Sequence, residues 1–436
     1  AILLIASLFF YAWGEPRNIL LMLLSIGINY VFGRIIEADR ASQSKMRVWN
    51  LGFAVFWNVL MLGIFKYVSG ISQTLHAMLP SLIPVVKIAL PIGISFYTFQ
   101  AISYLVDVYR GTTRAQNNLI NFALYIAMFP QLIAGPIVNY TEVSSCLKRR
   151  TVTARDFESG VRILVIGLGS KVIIADRVGM LWNNVQTIGF NSISTPLAWL
   201  GAVAYSMELY FDFAGYSMMA VGLGKMLGFQ IPVNFRFPYI SKSVTEFWRR
   251  WHITLGRWFR DYVYIPLGGS RKGRLRTMFN LFAVWILTAL WHGAGYNFLI
   301  WGGMLLGALF LEKLFLLPFL QKSKVIGHVY LLLFVPVTWM AFTITDVHQL
   351  GIYLTRMFPF VNAHTDMVNS MDYIKYLKDY DSLLAMGVLF ATPVPAVIYG
   401  KIKRGMLGTL AIAVIFALSM YYLAVSANNP FLYFNF

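Results

Sequence analysis

The chain of 436 residues is 58% hydrophobic and only 12% charged, and its mean hydropathy is +0.64. Soluble domains carry about 25% charged residues, so this composition excludes an ordinary soluble globular protein. The formal net charge of +18 would suggest nucleic-acid binding in a soluble chain, but in a membrane protein basic loops mark the cytoplasmic side. We therefore expect a polytopic α-helical membrane protein that contacts lipids and binds no nucleic acid.

Apolar stretches long enough to cross a bilayer as a helix recur along the whole chain. One of them, 118–139, contains Pro130, Gly135 and Pro136, so it is expected to break or re-enter, which backbone tolerates at membrane depth only beside protein or a cavity. Another, 193–226, is long enough for two short helices or one bent helix. The candidate spans are approximately 17–36, 49–68, 83–108, 118–139, 159–178, 193–226, 277–292, 297–318, 326–345, 382–400 and 406–426.

These spans predict an all-α fold, in which re-entrant and interfacial helices surround an internal tunnel. We expect a single membrane-embedded domain over 1–436, with residues missing before Ala1 because the chain opens inside an apolar stretch without methionine. The polar stretch at about 362–382 is expected on the outer face. The basic loops, which we assign to the cytoplasm, are 40–47, 148–155, 242–276 and 401–404.

The central basic segment reads as an interfacial helix over 246–262. At 100° per residue, its arginines fall on one side and its large aromatic residues on the other. The basic side chains either hold lipid headgroups or bind a polyanionic ligand such as the phosphates of a coenzyme A thioester. GxxxxGK[ST] does not occur in the sequence, which disfavours nucleotide hydrolysis. The candidate phosphate ligands are Arg249, Arg250, Arg257, Arg260, Arg271 and Lys272.

Two Trp-His dipeptides carry the candidate catalytic groups, His252 in the basic segment and His292 in an apolar stretch. Ionisable groups at membrane depth are expensive and commonly functional. Small residues follow His292, and Thr288 and Tyr296, at i−4 and i+4, are expected on its helix face to orient the ring. No ligand-like spacing predicts a metal site and no GxSxG predicts a serine triad, which leaves a histidine general base or a histidine that is merely packed between helices.

The motifs EFWRRWHITLGRWFRDYVYIPLGGSRKG and LWHGAGYNFLIWG resemble the signature of the membrane-bound O-acyltransferases, in particular their bacterial polysaccharide branch. The likeness extends over nearly the whole chain, with YFDFAGYS, VNFRFPYISKS and the terminal PFLYFNF as further motifs. It implies that His292 is the catalytic histidine and His252 a second polar histidine. It also implies that Tyr433 carries the acyl group as a phenyl ester, although Tyr433 could equally be an interfacial aromatic anchor.

The resemblance implies a bacterial inner-membrane enzyme whose acyl donor is cytoplasmic acetyl-CoA, with no permanently bound cofactor. The acetyl group would pass through the tunnel to an SGNH-type partner on the outer face, which O-acetylates an alginate-, peptidoglycan- or cellulose-type polysaccharide. The residues expected to line the tunnel are Asp212, Trp251, Trp291 and Tyr296. Two alternatives stay open: D-alanyl transfer from a carrier protein to teichoic acid, and a non-enzymatic glycan or lipid exporter.

Overall fold

A computed structural model describes residues 1–133, 135–360 and 368–426. Within these ranges the secondary structure is helical and contains no strand. The α-helices of the described ranges are α1 (Ile2–Gly14), α2 (Ile19–Ala41), α3 (Met46–Met78), α4 (Ile94–Arg110), α5 (Leu119–Ala127), α6 (Phe129–Leu132), α7 (Tyr140–Lys148), α8 (Ala154–Gly169), α9 (Asp176–Ile188), α10 (Thr195–Met226), α11 (Val244–Arg250), α12 (Ile253–Phe259), α13 (Arg274–His292), α14 (Tyr296–Leu311), α15 (Leu317–Lys322), α16 (Lys324–Thr343), α17 (Val347–Met357), α18 (Asp372–Phe390), α19 (Val394–Ile402) and α20 (Met406–Val425).

Five helical segments of the described chain are long and apolar enough to cross a membrane. A sixth is obtained if α18 and α19, which meet at 74°, are counted as one broken span. The all-helical, multi-pass fold expected from composition is therefore confirmed. The five segments are Ile19–Ala41, Met46–Met78, Tyr296–Lys322, Lys324–Thr343 and Met406–Val425.

Two predicted spans are wrong in their boundaries. The stretch 83–108 becomes helical only at Ile94, after Gly93, which adopts φ +77° at the N-cap. The stretch 382–400 is interrupted between α18 and α19, where Pro393 forms the N-cap of the second helix. A hydropathy window averages over such breaks, whereas proline lacks the N–H that a continuous helix needs.

The predicted interruption of 118–139 is confirmed. The segment divides into α5 and α6, and residues 135–139 are not helical. Gly135 lies so close to the preceding turn that a Cβ atom there would be 2.5 Å from the Cα of Gln131. Of the two possibilities for 193–226, the structure adopts a single helix of 32 residues, α10.

The chain divides into two compact units, each assembled from three separated stretches. Unit 1 comprises Ala1–Val161, Ala220–Val233 and Arg257–Pro266, and unit 2 comprises Arg162–Met219, Asn234–Gly256 and Leu267–Phe436. The core of unit 1 is rich in buried tyrosine and phenylalanine, including Tyr97 and Phe122. The expectation of one domain over 1–436 stays a prediction beside this division.

Candidate active site

The Trp251-His252 dipeptide interrupts the central basic segment. The continuous helix predicted over 246–262 is wrong, because α11 ends at Arg250 and α12 begins at Ile253. His252 adopts φ +42°, a left-handed conformation that is uncommon for residues other than glycine and often accompanies function. The polarity predicted for the segment nevertheless holds, since its tryptophans at 251 and 258 are buried and Arg249 is exposed.

Backbone hydrogen bonds between residues 234–236 and the two helix ends stabilise this break. The N–H of Arg236 donates to the carbonyl of Arg250 over 2.9 Å, and the N–H of Ile253 donates to the carbonyl of Asn234 over 2.9 Å. These bonds satisfy polar groups that the interrupted helix leaves without intrahelical partners. The break between α11 and α12 is therefore stabilised by specific hydrogen bonds within unit 2.

The side chain of Asn234 determines which nitrogen of His252 carries hydrogen. Its Oδ1 accepts from the backbone N–H of Thr254 at 3.1 Å and from the Thr254 hydroxyl at 2.9 Å. Because a backbone N–H can only donate, the Asn234 atom that faces it must be the carbonyl oxygen. The Nδ1 of His252, 3.2 Å from the same oxygen, must then be protonated.

The other imidazole nitrogen, Nε2, consequently presents a lone pair. His252 is 3% exposed, and its Nε2 has no hydrogen-bond partner among the described residues. Burial lowers the pKa of His252 from its ordinary 6.5 to about 3, so the ring is neutral at physiological pH. It is packed edge-on against Phe213, with ring centroids 4.8 Å apart. This nitrogen is a buried acceptor for a proton or a hydrogen bond.

His292 is the last residue of α13, and the helix does not continue past it. The expectation that Tyr296 shares its helix face is therefore wrong, whereas Thr288, at i−4, does lie in the same helix as His292. Tyr296 begins the next helix and is 73% exposed. The physical reason is Gly293-Ala294-Gly295, since glycine weakens a helix and a Cβ at Gly293 would lie 2.4 Å from the ring of Phe298.

Aromatic rings enclose the His292 imidazole. Its centroid lies 5.0 Å from Trp301 and 5.1 Å from Phe342, both in edge-to-face geometry, and 4.7 Å from Trp291. Trp291 also contacts His252, with centroids 6.4 Å apart. The two histidines of unit 2 thus share one tryptophan, and their centroids can be no further apart than the sum of those two distances.

The remaining residues expected along a tunnel have different surroundings. Asp212 is buried and forms an ion pair with Lys171 at 2.8 Å, and Lys171 also contacts Asp176 at 2.6 Å. Trp251 is buried, stacks on Phe247 at 5.5 Å and packs with other aromatic side chains. Their part in a tunnel stays a prediction.

The six basic residues predicted to bind phosphates are divided between the two units, and their role as phosphate ligands stays a prediction. Arg257 and Arg260 belong to unit 1, and the other four belong to unit 2. Three of the six hold ion pairs within the protein: Arg250 with Glu246, Arg257 with Glu142, and Arg260 with Asp261. Arg249, Arg271 and Lys272 are exposed. Tyr433 lies outside the described residues.

Sequence reasoning missed Asn234 and Lys171. Asn234 occurs in the VNFRFPYISKS motif, 18 positions before His252, and nothing local indicates that it contacts the histidine. Lys171 gave a readable signal, because a lysine within the apolar stretch 159–178 needs a partner. Asp212, an acidic residue within the apolar stretch 193–226, was a candidate for the partner of Lys171.

Comparison with known proteins gives the class to which the chain belongs. Residues 112–355 match the model of the membrane-bound O-acyltransferase family, MBOAT. The chain belongs to this family and is a multi-pass membrane O-acyltransferase.

Its relatives include named polysaccharide-modifying enzymes. The chain is 38% identical over 461 aligned residues to the probable alginate O-acetylase AlgI of Pseudomonas putida, covering 100% of this chain and 94% of that protein. It is 36% identical over 330 residues to the peptidoglycan O-acetyltransferase of Helicobacter pylori, covering 69% of this chain and 62% of that protein. The teichoic acid D-alanyltransferase of Bacillus subtilis is 31% identical over 223 residues, covering 48% of this chain and 56% of that protein.

Proposed function

We propose that this protein takes an acetyl group from cytoplasmic acetyl-CoA and passes it across the bacterial inner membrane for O-acetylation of a polysaccharide. The relatives that are named alginate O-acetylase and peptidoglycan O-acetyltransferase support an acceptor of this class. An SGNH-type partner on the outer face would complete the transfer. The observation that carries the proposal is the pair of histidines joined by Trp291, one of them with a buried acceptor nitrogen.

In this proposal His292 is the general base. Its imidazole takes the proton of an acceptor hydroxyl while the hydroxyl oxygen attacks the thioester carbonyl, and the C–S bond then breaks. The departing thiolate takes the proton back, so that ester and free thiol are formed without another reactant. Tyr433 is the proposed first acceptor, since a phenol near pKa 10 forms an ester that remains activated.

The geometry favours His252 as a positioning group. Stabilising negative charge requires an N–H directed at the developing oxyanion, but the Nδ1–H of His252 is donated to Asn234. Its Nε2 can accept a hydrogen bond from an amide N–H, such as those in the pantetheine arm of a coenzyme A thioester. Exposed Arg249, Arg271 and Lys272 are the proposed contacts for the phosphates of the same donor.

Thiol release from acetyl-CoA, measured with the partner and acceptor present, tests these roles. His292→Ala should lower kcat by roughly 10²–10⁴-fold. His252→Gln keeps an acceptor atom but cannot take up a proton, so it should raise KM more than it lowers kcat. His348→Ala, at an exposed position outside the site, is the matched control. Full turnover by His292→Ala would rule out the general-base assignment.

Trapping with labelled acetyl-CoA tests the relay. Wild-type protein should carry label on the peptide that contains Tyr433, and Tyr433→Phe should abolish both that label and polysaccharide acetylation. If the peptide is never labelled and Tyr433→Phe transfers normally, the hydroxyl of the outer acceptor must be reached directly.

A second candidate reaction is D-alanyl transfer, which the similarity to the teichoic acid enzyme favours. Mass spectrometry of the acid released from the modified polymer separates the two reactions, because acetate and D-alanine differ in mass and charge. A purely non-enzymatic exporter loses support, since the chain belongs to an acyltransferase family and an exporter needs no acyl donor.

A further inference from the structure

Unit 1 contains a large basic cavity that has no part in the chemistry above. Its volume is about 990 Å³, at the upper end of the range for small-molecule sites. Its charged lining consists of four basic side chains and one acidic side chain. These are Arg34, Arg40, Arg114, Lys148 and Glu37.

Three separate elements bring these charges together. Arg34, Glu37 and Arg40 follow one another at intervals of three residues near the end of α2, which places them along one face. Arg114 lies in the connection between α4 and α5, and Lys148 is the last residue of α7. Arg40 and Lys148 belong to loops 40–47 and 148–155, which are predicted to face the cytoplasm.

The acidic member does not neutralise the cavity. The Oε1 of Glu37 accepts from the backbone N–H of Ala115 at 3.1 Å, and it is 3.9 Å from the guanidinium of Arg40. The other three basic side chains form no ion pair with any described residue. Arg40 is closely packed against Gly111, where a Cβ atom would lie 2.1 Å from its Nη1. The cavity therefore keeps excess positive charge, and one of its guanidinium groups is held in place.

Neutral hydrogen-bonding groups complete the lining. Gln116 is buried, donates to the hydroxyl of Tyr140 at 2.8 Å and accepts from the backbone N–H of Asn118 at 3.0 Å. Because the Tyr140 hydroxyl accepts this bond, its own proton is available as a donor. Several cations beside a hydroxyl donor suit an anion with multiple charges and several acceptor oxygens, which describes a phosphate group.

We propose that this cavity of unit 1 is a binding site for a phosphate-bearing anion. Soluble nucleotide phosphates and the headgroups of acidic phospholipids present the same chemistry on the cytoplasmic side of a membrane. The site takes the phosphate moiety through Arg34, Arg114 and Lys148, against the guanidinium of Arg40. It stands or fails by binding alone, independently of acyl transfer.

The test compares two triple variants of the full-length protein. Arg34→Gln/Arg114→Gln/Lys148→Gln removes three charges from the cavity, and Lys401→Gln/Lys403→Gln/Arg404→Gln removes three exposed charges from another predicted cytoplasmic loop. All six positions are exposed, so both variants should fold, which size-exclusion profiles and thermal midpoints check.

Binding is measured with labelled adenosine 3′,5′-bisphosphate in detergent and with phosphatidylglycerol or phosphatidylcholine retained in nanodiscs. The two probes are the bisphosphate and phosphatidylglycerol, and phosphatidylcholine is the zwitterionic comparison. The cavity variant should bind one of the two probes about tenfold more weakly, and the control variant should bind like wild type. Loss of bisphosphate binding identifies a soluble phosphate source, and selective loss of phosphatidylglycerol identifies a lipid source. If the cavity variant binds both probes like wild type, or the control loses as much, the proposal is overturned.

Discussion

Replacing Asn234 should damage the candidate site in a manner that depends on the new side chain. Asn234→Ala removes three buried hydrogen bonds, two to Thr254 and one to His252. At about 1 kcal/mol of net stability for each bond, the free energy of unfolding should fall by about 3 kcal/mol. Asn234→Asp keeps an oxygen at the same position and should retain most of this stability.

The aspartate variant should also change the acid response. In the wild type, the pKa of His252 lies near 3 when folded and at its ordinary 6.5 when unfolded, so only the unfolded state binds this proton as pH falls between those values. The contribution of this group to stability therefore decreases by about 1.4 kcal/mol for each pH unit below 6.5. A carboxylate beside Nδ1 favours the imidazolium and raises the folded pKa, so Asn234→Asp should lose less stability over this pH range.

Thermal midpoints of the detergent-solubilised variants, measured between pH 7 and pH 4, provide the assay. Asn297→Ala is a useful control, because this buried residue donates one hydrogen bond, to the carbonyl of Phe342, and should cost about 1 kcal/mol. If the alanine and aspartate variants at position 234 are equally destabilised, the oxygen acceptor is not what matters there. If Asn234→Asp follows the wild-type pH profile, the assigned contact between position 234 and the His252 Nδ1 is refuted.

Three other experiments give distinct expectations, each checked by thermal midpoint. Gly215→Ala should destabilise the protein by about 1–3 kcal/mol through overpacking, because the new Cβ would lie 2.7 Å from the carbonyl oxygen of Gly167. Gly303→Ala, which has nothing within 4 Å of its new Cβ, should be neutral or stabilising. Equal effects of the two substitutions would contradict this reasoning. Glu312→Ala should cost about 3 kcal/mol, because the buried carboxylate accepts two backbone N–H groups at the start of α11, and an unchanged midpoint would disprove that role. A double-mutant cycle between Arg257 and Glu142, a half-buried bidentate pair, should give a coupling of about 1 kcal/mol, and zero coupling would show that the pair does not contribute.

The sequence predicted the class of fold correctly, because apolar span length is a local property. It also singled out both Trp-His dipeptides as candidates, and their catalytic role stays a prediction. It could not predict the backbone around them. The periodicity of 246–262 suits one helix, but backbone hydrogen bonds that Asn234 accepts from Ile253 and Arg236 donates to Arg250 stabilise a break at His252. Likewise, the expected i+4 relation of Tyr296 to His292 required a helix that continues past His292, but α13 ends at that residue.

The basic cavity shows the same limit for charge. Arg34, Arg114 and Lys148 come from segments far apart in the chain, and only the fold brings them together. Two of the predicted basic loops, 40–47 and 148–155, contain the cavity residues Arg40 and Lys148. Their charge was interpreted only as a determinant of membrane topology. Conversely, Arg257 has a suitable residue type and position for a phosphate ligand, yet it pairs with Glu142. Counting charges along a sequence cannot distinguish an arginine that forms an ion pair within the protein from one that can still bind a ligand.

The tryptophan shared by the two histidines restricts proton movement in the proposed reaction. An indole has one N–H donor and no acceptor lone pair, so a proton cannot hop from one imidazole to the other through Trp291. Each histidine must exchange protons through its own contacts with substrate or water. A proton removed from the acceptor at His292 would therefore leave with the departing thiol and would not pass through Trp291 to His252.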